Sequence, residues 1–377
     1  MFTTRPPAGI DRRALLRLGL AGLASAAPWG RAAAGRNARP LVGAIRWDAW
    51  YAPHDLATAA VERDLTPPQY RFRLPFFAAV RPDGSVAIDG GHAETIDREI
   101  GYAERAGLDY WAFVWYPPSS PMTTALRLYR ESPHHRAVNF CLIATLGLWN
   151  GIAGHRQVIA QQAELTADPA YQRVLDGRPL FYLAFVTPDV VQKDWGGNAA
   201  VGAAVGALRD AVRAKSGANP YVVLMVGTPA GAAGLAGAIG ADAVGAYAPH
   251  GDLRAAPYAR LAEEAIAFWD ALAAQGLQVV PTVMTGWDRR PRVEHPVPWE
   301  PDQQPGSGLD RYYETAKPPE IAAHLQNCLR WIDAHRRAAP ARVALIYAWN
   351  ENDEGGWLIP TYPNDTLRIE AVRRALR

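Results

Sequence analysis

The sequence predicts an α/β fold, and within that class a (β/α)8 TIM barrel formed as a single domain with long βα loops. After residue 40, short apolar runs alternate eight times with longer amphipathic segments. The apolar runs are rich in Val, Ile, Leu and aromatic residues, as strands buried on both faces must be. Eight alternations within 377 residues favour one closed barrel with extended loops.

Each predicted element follows from this alternation. The predicted strands are Leu41–Trp47, Tyr110–Trp115, Asn139–Leu146, Leu180–Phe185, Tyr221–Val226, Ala243–Ala246, Leu277–Val283 and Val343–Trp349. The predicted helices are Ile96–Ala106, Thr124–Arg130, His155–Leu165, Ala199–Ala214, Ala230–Ile239, Tyr258–Gln275, Ile321–Arg336 and Thr366–Leu376. Helix-start signals precede the last two, at Pro318-Pro319-Glu320 and Asp365-Thr366.

A doubly wound sheet is the alternative fold. Such a sheet usually carries a Gly-rich phosphate loop after its first strand, whereas the bulky segment Trp47–Tyr51 occupies that position here. The sequence shows no internal repeat and no Ser/Gly-rich linker, so residues 35–377 are predicted to form one domain. Two long loops, Tyr51–Glu94 with a hairpin turn at Pro82-Asp83-Gly84 and Trp287–Lys317, are expected to shape a binding site.

Residues 1–34 predict an export signal. Arg12-Arg13 precedes the apolar stretch Leu18–Trp29, and Ala32-Ala33-Ala34 supplies a cleavage site of small residues. This arrangement resembles a twin-arginine signal, and the apolar run is too short to span a bilayer as an ordinary helix. A disordered basic tail is the alternative. The mature chain, from about Gly35, is expected to be periplasmic or secreted.

Charge and cysteine content limit the partners. Residues 1–34 hold five of the 39 basic residues and one of the 37 acidic residues, so the remaining chain has a formal charge of −2. This near-neutral chain lacks basic runs, which argues against a nucleic acid or an anionic membrane as the partner. Cys141 and Cys328 are predicted to be buried and unpaired, because two distant cysteines in apolar surroundings do not form a disulfide framework.

The C-terminal ends of the predicted strands carry the candidate substrate contacts. Active sites of (β/α)8 barrels form at this face, and aromatic rings can stack on the apolar faces of sugars. The stacking candidates are Trp47, Trp115, Trp149 and Trp287. The candidates for other substrate contacts are Asp48, Tyr116, Asn150, Tyr247, His250, Asp288, Arg292 and Asn350. Aromatic, acidic and cationic residues on one rim predict a carbohydrate site.

The last strand supplies the candidate catalytic residues. It runs into an acidic turn containing Glu351, Asp353 and Glu354 and closed by Gly355-Gly356. Glycosidic cleavage needs one carboxylic acid to protonate the leaving oxygen and a second carboxylate as base or nucleophile. Glu351 and Glu354 could converge on a substrate if the chain turns after Asn350. The alternative is a solvated acidic loop.

These motifs resemble a known family. Ala348–Gly355, followed by Leu358 and Pro360, is similar to the last-strand motif of the glycoside hydrolase family 99-like barrels. These barrels include endo-α-mannosidases, endo-α-1,2-mannanases and the WbsX-like proteins of polysaccharide gene clusters. Gly286–Arg292 resembles the seventh-strand Gly-Trp-Asp-x-x-Pro-Arg of the WbsX-like members, and Ala112–Tyr116 fits the second-strand end loosely.

The resemblance implies a retaining glycosidase that cleaves an α-linked glycan through a 1,2-anhydro-sugar intermediate. By position, Glu351 would act as base on the sugar 2-hydroxyl and Glu354 as general acid/base, with no metal or organic cofactor. The chain departs from the family pattern at three positions beside this pair, Asn352, Asp353 and Ile359. These changes put the identity of the substrate in question more than the type of reaction.

Three other functions are open from the sequence. A non-catalytic carbohydrate-binding or polysaccharide-processing barrel would keep the substrate-contacting residues at the barrel rim but would not cleave glycosidic bonds. A glycosyltransferase would be expected to carry an Asp-x-Asp metal-nucleotide motif, which the sequence lacks. A metal hydrolase would need a ligand spacing such as His-Glu-x-x-His, and the one His pair, His134-His135, does not supply it.

Overall fold

The structure, a computed structural model, describes residues 39–251, 254–300 and 303–377. The predicted export signal at residues 1–34 lies outside the described residues. The eight principal strands are β1 (Leu41–Arg46), β2 (Tyr110–Val114), β3 (Asn139–Thr145), β4 (Arg178–Ala184), β5 (Tyr221–Met225), β6 (Ala243–Gly245), β7 (Thr282–Met284) and β8 (Val343–Tyr347). Each one forms within a predicted apolar run or overlaps it.

The strands are parallel and form a nearly closed ring in the order β7-β8-β1-β2-β3-β4-β5-β6. A parallel bridge between Val244 of β6 and Val279 joins the two ends. The seventh strand was predicted to begin at Leu277 but begins at Thr282. One physical reason is Pro281, which has no N–H to give to a ladder. The predicted (β/α)8 barrel is confirmed.

In the part of the chain that the structure describes, eight helices that follow the principal strands surround the ring, besides those within the long loops. They are α1 (Ala93–Ala106), α2 (Thr124–Glu131), α3 (Gly151–Leu165), α4 (Asn198–Ser216), α5 (Ala232–Ile239), α6 (Tyr258–Ala273), α7 (Pro318–Ala334) and α8 (Leu367–Leu376). Their apolar stripes face the strands, as in α1, where Ile96, Ile100 and Ala103 are buried at helical spacing. Cys141 and Cys328 are buried and free, as predicted. Within the described residues, no helix has the length and apolarity to cross a membrane.

The long loop after β1 contains more regular secondary structure than the sequence predicts. It contains a helix at Leu56–Leu65, a 3-10 helix at Pro68–Arg73 and the predicted hairpin, in which Ala79–Val80 pairs with Val86–Ala87. Asp55 accepts a hydrogen bond from the Ala57 N–H and so caps the first helix. The loop after β7 likewise contains a short helix, Arg290–Glu294. These two loops form the sides of the barrel mouth next to the end of β8.

Candidate active site

The chain reverses immediately after β8. Asn350–Glu351 pairs antiparallel with Gly356–Trp357, and a 3-10 turn at Asn352–Glu354 connects the two segments. Gly355 ends the turn at φ +86°, a left-handed conformation that favours glycine. This reversal brings both Glu351 and Glu354 to the wall of one cavity, which a straight strand could not do.

Close backbone contact holds this turn against the loop after β7. The Asp288 N–H donates a hydrogen bond to the Glu354 carbonyl at 2.7 Å. A Cβ on Gly286 would lie 2.0 Å from the Gly355 carbonyl oxygen, and a Cβ on Gly355 would lie 2.6 Å from the Asp288 nitrogen. The two loops can therefore approach this closely only with glycine at both positions.

The cavity at the C-terminal ends of the strands has a volume of about 1060 Å³. This size accommodates several sugar units or one sugar with a bulky substituent. Seven residues from the sequence prediction line it: Trp47, Tyr116, Tyr247, Trp287, Arg292, Glu351 and Glu354. The indole N–H of Trp47 donates to the Tyr116 hydroxyl at 2.9 Å, which fixes these two rings side by side.

Arg292 connects the acidic groups of the site. Its Nε donates to Oδ2 of Asp353 at 2.6 Å, its Nη1 donates to Oε1 of Glu354, and its Nη2 lies 3.6 Å from Oε2 of Glu351. The guanidinium is 4% exposed, so these interactions are little screened by water. Arg289 adds a second cation, with Nε 3.0 Å from Oε1 of Glu354.

The surroundings of the two candidate catalytic carboxyls push their proton affinities apart. Burial raises the pKa of Glu351 well above its usual range, and the negative charge of Glu354 raises it further. Burial also acts to raise the pKa of Glu354, but the charges of Arg292 and Arg289 and a hydrogen bond from Tyr347 outweigh it and lower that pKa. These surroundings favour the neutral acid at Glu351 and the anion at Glu354.

Tyrosine hydroxyls orient both carboxyls. The Tyr247 hydroxyl donates to Oε1 of Glu351 at 2.6 Å, and the Tyr347 hydroxyl donates to Oε2 of Glu354. The two rings contact one another, with centroids 5.8 Å apart. Burial raises the pKa of each phenol well above its usual range, so both remain donors at neutral pH.

Three predicted contacts are buried beneath the cavity instead of lining it. Asp48 binds Arg46 (3.0 Å) and accepts from the Asn350 amide (3.0 Å), while the Asn350 side-chain oxygen accepts from the Trp47 N–H (2.9 Å). The third, Asp288, pairs with Arg73 and Arg290 on the opposite side of the turn. Each is at most 4% exposed. Their side chains hold the loops in place, and none of the three is part of the cavity lining.

Four other predicted residues also lie outside the cavity lining. Trp115 is buried, and Trp149 is buried with its indole N–H donating to Gln162. Asn150 is exposed at φ +58° at the start of α3. The ends of strands also supply rings to the barrel packing, as Trp115 and Trp149 do, whereas Asn150 is at the surface outside the cavity lining. His250 is exposed and is not part of the lining. Its ring stacks on Trp287, which does line the cavity, with centroids 4.3 Å apart.

Two residues that line the cavity were not predicted from the sequence. Trp299 and Glu300 reach the cavity from the middle of the loop after β7. Trp299 packs against Trp47 with centroids 5.3 Å apart, and Glu300 pairs with Arg289. No sequence signal marks these two loop residues. Tyr347, the last residue of β8, was also missed; it lies outside the cavity lining but its hydroxyl donates to Glu354.

No group of three or more His, Cys, Asp or Glu side chains in the described residues could hold a metal ion. The acidic groups of the site are instead bound by arginines. The guanidinium groups of Arg289 and Arg292 supply positive charge at this site and donate hydrogen bonds in fixed directions.

Asp64 provides a test of the electrostatics around the site. Burial, with repulsion from Asp353, raises its pKa to about 8, so the folded protein holds a proton that the unfolded chain releases near pH 4. The stability that the proton on Asp64 provides is therefore fully present at low pH. The free energy of unfolding falls as the pH rises from about 4 to about 8, where the folded protein also loses this proton. We expect Asp64→Asn to unfold at higher urea than the wild type at pH 8.5 but not at pH 4.5. The exposed Asp176→Asn is the control, and an Asp64→Asn difference independent of pH would contradict the assignment.

Comparison with known proteins supports the fold. No protein-family model matches the sequence, and no curated protein matches it. The solved structure of the family 99 endo-α-mannosidase of Bacteroides thetaiotaomicron with bis-tris propane has a TM-score of 0.57 and 13% identity, covering 89% of this chain and 95% of that chain. A second structure of that enzyme gives 0.55 and 14%, covering 89% and 96%. The predicted resemblance to family 99 barrels is thus confirmed for the fold.

Proposed function

We propose that this protein is a retaining glycoside hydrolase that cleaves an α-linked polysaccharide or oligosaccharide, with α-mannan as the leading candidate. One observation carries the proposal: two buried carboxyls, Glu351 and Glu354, line one cavity with opposite shifts of their pKa values. Such a pair is what acid and base catalysis of glycoside cleavage requires. The shared fold with an endo-α-mannosidase supports the choice of substrate.

The electrostatics favour a different division of roles from the one that the resemblance implies. The contacts of Glu354 with Arg292, Arg289 and Tyr347 favour its anionic form, and burial favours the proton on Glu351. We therefore propose that Glu354 takes the proton from the sugar 2-hydroxyl, whose oxygen attacks the anomeric carbon to form a 1,2-anhydro sugar. Glu351 gives its proton to the leaving oxygen.

The second step reverses these transfers. Glu351, now ionised, removes a proton from water, the water oxygen attacks the anomeric carbon, and Glu354 returns its proton to the 2-oxygen. Two inversions give net retention. Attack by the 2-oxygen requires the 2-hydroxyl to lie opposite the bond that breaks, as it does in α-mannosides. This requirement is a chemical reason to test α-mannans first.

The test is digestion of a panel of α-mannan, α-glucan, β-mannan and β-glucan by residues 35–377, with NMR detection of the first anomer released. We expect cleavage of α-mannan with retention, and none by a Glu351→Gln, Glu354→Gln double variant. Binding without cleavage would instead favour a non-catalytic carbohydrate-binding barrel. Release of the opposite anomer would exclude the anhydro-sugar route.

We also propose that residues 1–34 direct export of the folded protein to the periplasm or beyond. The basis is the Arg12-Arg13 pair before an apolar run and small residues. Replacing both arginines with lysine is expected to leave the protein in the cytoplasmic fraction, while Arg5→Lys, upstream of the pair, should not. Equal export of the two variants would contradict a twin-arginine signal.

A further inference from the structure

The cavity has two chemically different halves. Apart from Asp55, every charged residue that lines it comes from the loops after β7 and β8; these residues are Arg289, Arg292, Glu300, Glu351 and Glu354. The opposite wall comes from the loops after β4 and β5, Phe185–Pro188 and Met225–Leu235. None of the residues that these described loops place on the cavity is charged, and their side-chain polar groups are the hydroxyls of Thr187 and Thr228.

Most side chains on this side of the cavity are apolar. Its apolar members are Phe185, Val186, Pro188, Met225, Val226, Ala230, Ala232 and Leu235, with Met122 and Pro121 from the loop after β2. A sugar ring carries several hydroxyls, and burying them without partners is unfavourable. The side-chain hydroxyls on this side of the cavity, those of Ser120, Thr145, Thr187 and Thr228, are too few for a run of sugar units, whereas the wall gains free energy by covering apolar surface.

Phe185 marks where the two halves meet. Its backbone is at φ +57°, an uncommon conformation for a residue with a large side chain, and its ring is 50% exposed. The ring contacts Tyr247, with centroids 5.5 Å apart, and Tyr247 donates to Glu351. A group packed on Phe185 is therefore connected through the Tyr247 side chain to the carboxyl that we assign as proton donor to the leaving group.

We propose that this wall is a binding site for an apolar group carried on the leaving-group side of the substrate, such as an alkyl or acyl chain attached to the glycan. The proposal rests on the proposed glycosidase function, because it places the chain relative to the bond that is cleaved. The natural substrate would then be an amphipathic glycoside, with its sugar at the carboxyls and arginines and its chain on the β4–β5 wall.

The test compares n-octyl and methyl α-D-mannopyranoside in the Glu351→Gln variant by calorimetry, below the micelle-forming concentration. The pair shares one sugar and differs by seven methylene groups, so we expect the octyl glycoside to bind at least tenfold more tightly. Adding Phe185→Gly, which suits the left-handed backbone and removes the ring, should reduce the ratio below threefold. Phe72→Ala removes a ring of similar exposure outside the cavity and should leave the ratio unchanged.

The outcomes separate the two proposals. Equal binding of the two glycosides, or an octyl preference that persists in Phe185→Gly, would overturn the apolar site. If wild-type protein cleaves α-mannan and the octyl preference is absent, the apolar site alone is wrong. If the preference depends on Phe185 while no glycan in the panel is cleaved, the apolar site is supported and the glycosidase proposal fails.

Discussion

Glu351→Gln and Glu354→Gln are each expected to lower kcat on an unactivated α-mannoside by about 10²–10⁴-fold, the usual contribution of a positioned acid or base. Each substitution keeps the shape of the side chain and its contact with a tyrosine hydroxyl, so the fold should be retained. Glu314→Gln, at an exposed position outside the cavity, is the matched control and should retain full activity.

Leaving-group chemistry distinguishes the roles of the two carboxyls. A 2,4-dinitrophenyl glycoside needs no protonation of its leaving oxygen, so an enzyme without its general acid still performs the first step on it. We expect Glu351→Gln to retain first-step activity on this substrate and Glu354→Gln to lose it. The reverse result would show that the roles follow the family resemblance, with Glu351 as base and Glu354 as acid.

The pH dependence of kcat/KM provides an independent measurement of the same assignment. Activity requires Glu351 to be protonated and Glu354 to be ionised. Because burial raises the pKa of Glu351, activity should fall at high pH as this group loses its proton. Because Arg292 and Arg289 outweigh burial and lower the pKa of Glu354, activity should fall at low pH only when that group is protonated. Glu351→Gln should remove the alkaline limb, measured on the activated substrate.

The barrel could be predicted from the sequence because each strand is a local signal. A buried parallel strand must be continuously apolar, and eight such runs with amphipathic segments between them leave few other folds. The candidate catalytic pair was also visible, because Glu351 and Glu354 directly follow an apolar strand and precede two glycines. The geometry that brings the two side chains together could not be predicted, since it depends on Gly286 contacting Gly355 across two loops.

Individual contacts at the rim were predicted less well, because residue type does not specify the direction of a side chain. Trp149 and Trp47 both follow a strand, yet one packs in the protein interior and the other lines the cavity. Trp299 lies in the middle of a long loop, and its position depends on packing against Trp47. The role of Arg292 also depended on tertiary structure, since its partners lie about sixty residues away in the sequence.

Arg292→Met is expected to have the largest effect on stability. Arg292 is buried against Asp353 and Glu354, and removing it leaves these carboxylates without their principal cation. Removing one partner from a buried ion pair typically costs about 3–5 kcal/mol. Without the arginine, burial is opposed by less positive charge and the pKa of Glu354 rises in the folded protein, so the loss should be larger at pH 8 than at pH 5. Urea unfolding at the two pH values measures this difference.

Two further variants complete the test. One asks whether the charge of Arg292 is enough for stability and activity or whether its forked guanidinium group is needed, and the other is a control. Arg292→Lys keeps one positive charge but cannot bind several carboxylates in fixed directions, so we expect intermediate stability and a loss of activity close to that of Arg292→Met. Arg254→Met removes an arginine whose side chain is 74% exposed and paired with Asp310, and should change stability by at most about 1 kcal/mol. If Arg292→Met lost the same stability at pH 5 and pH 8, Arg292 would act through packing, and the ionised state of Glu354 would need another explanation.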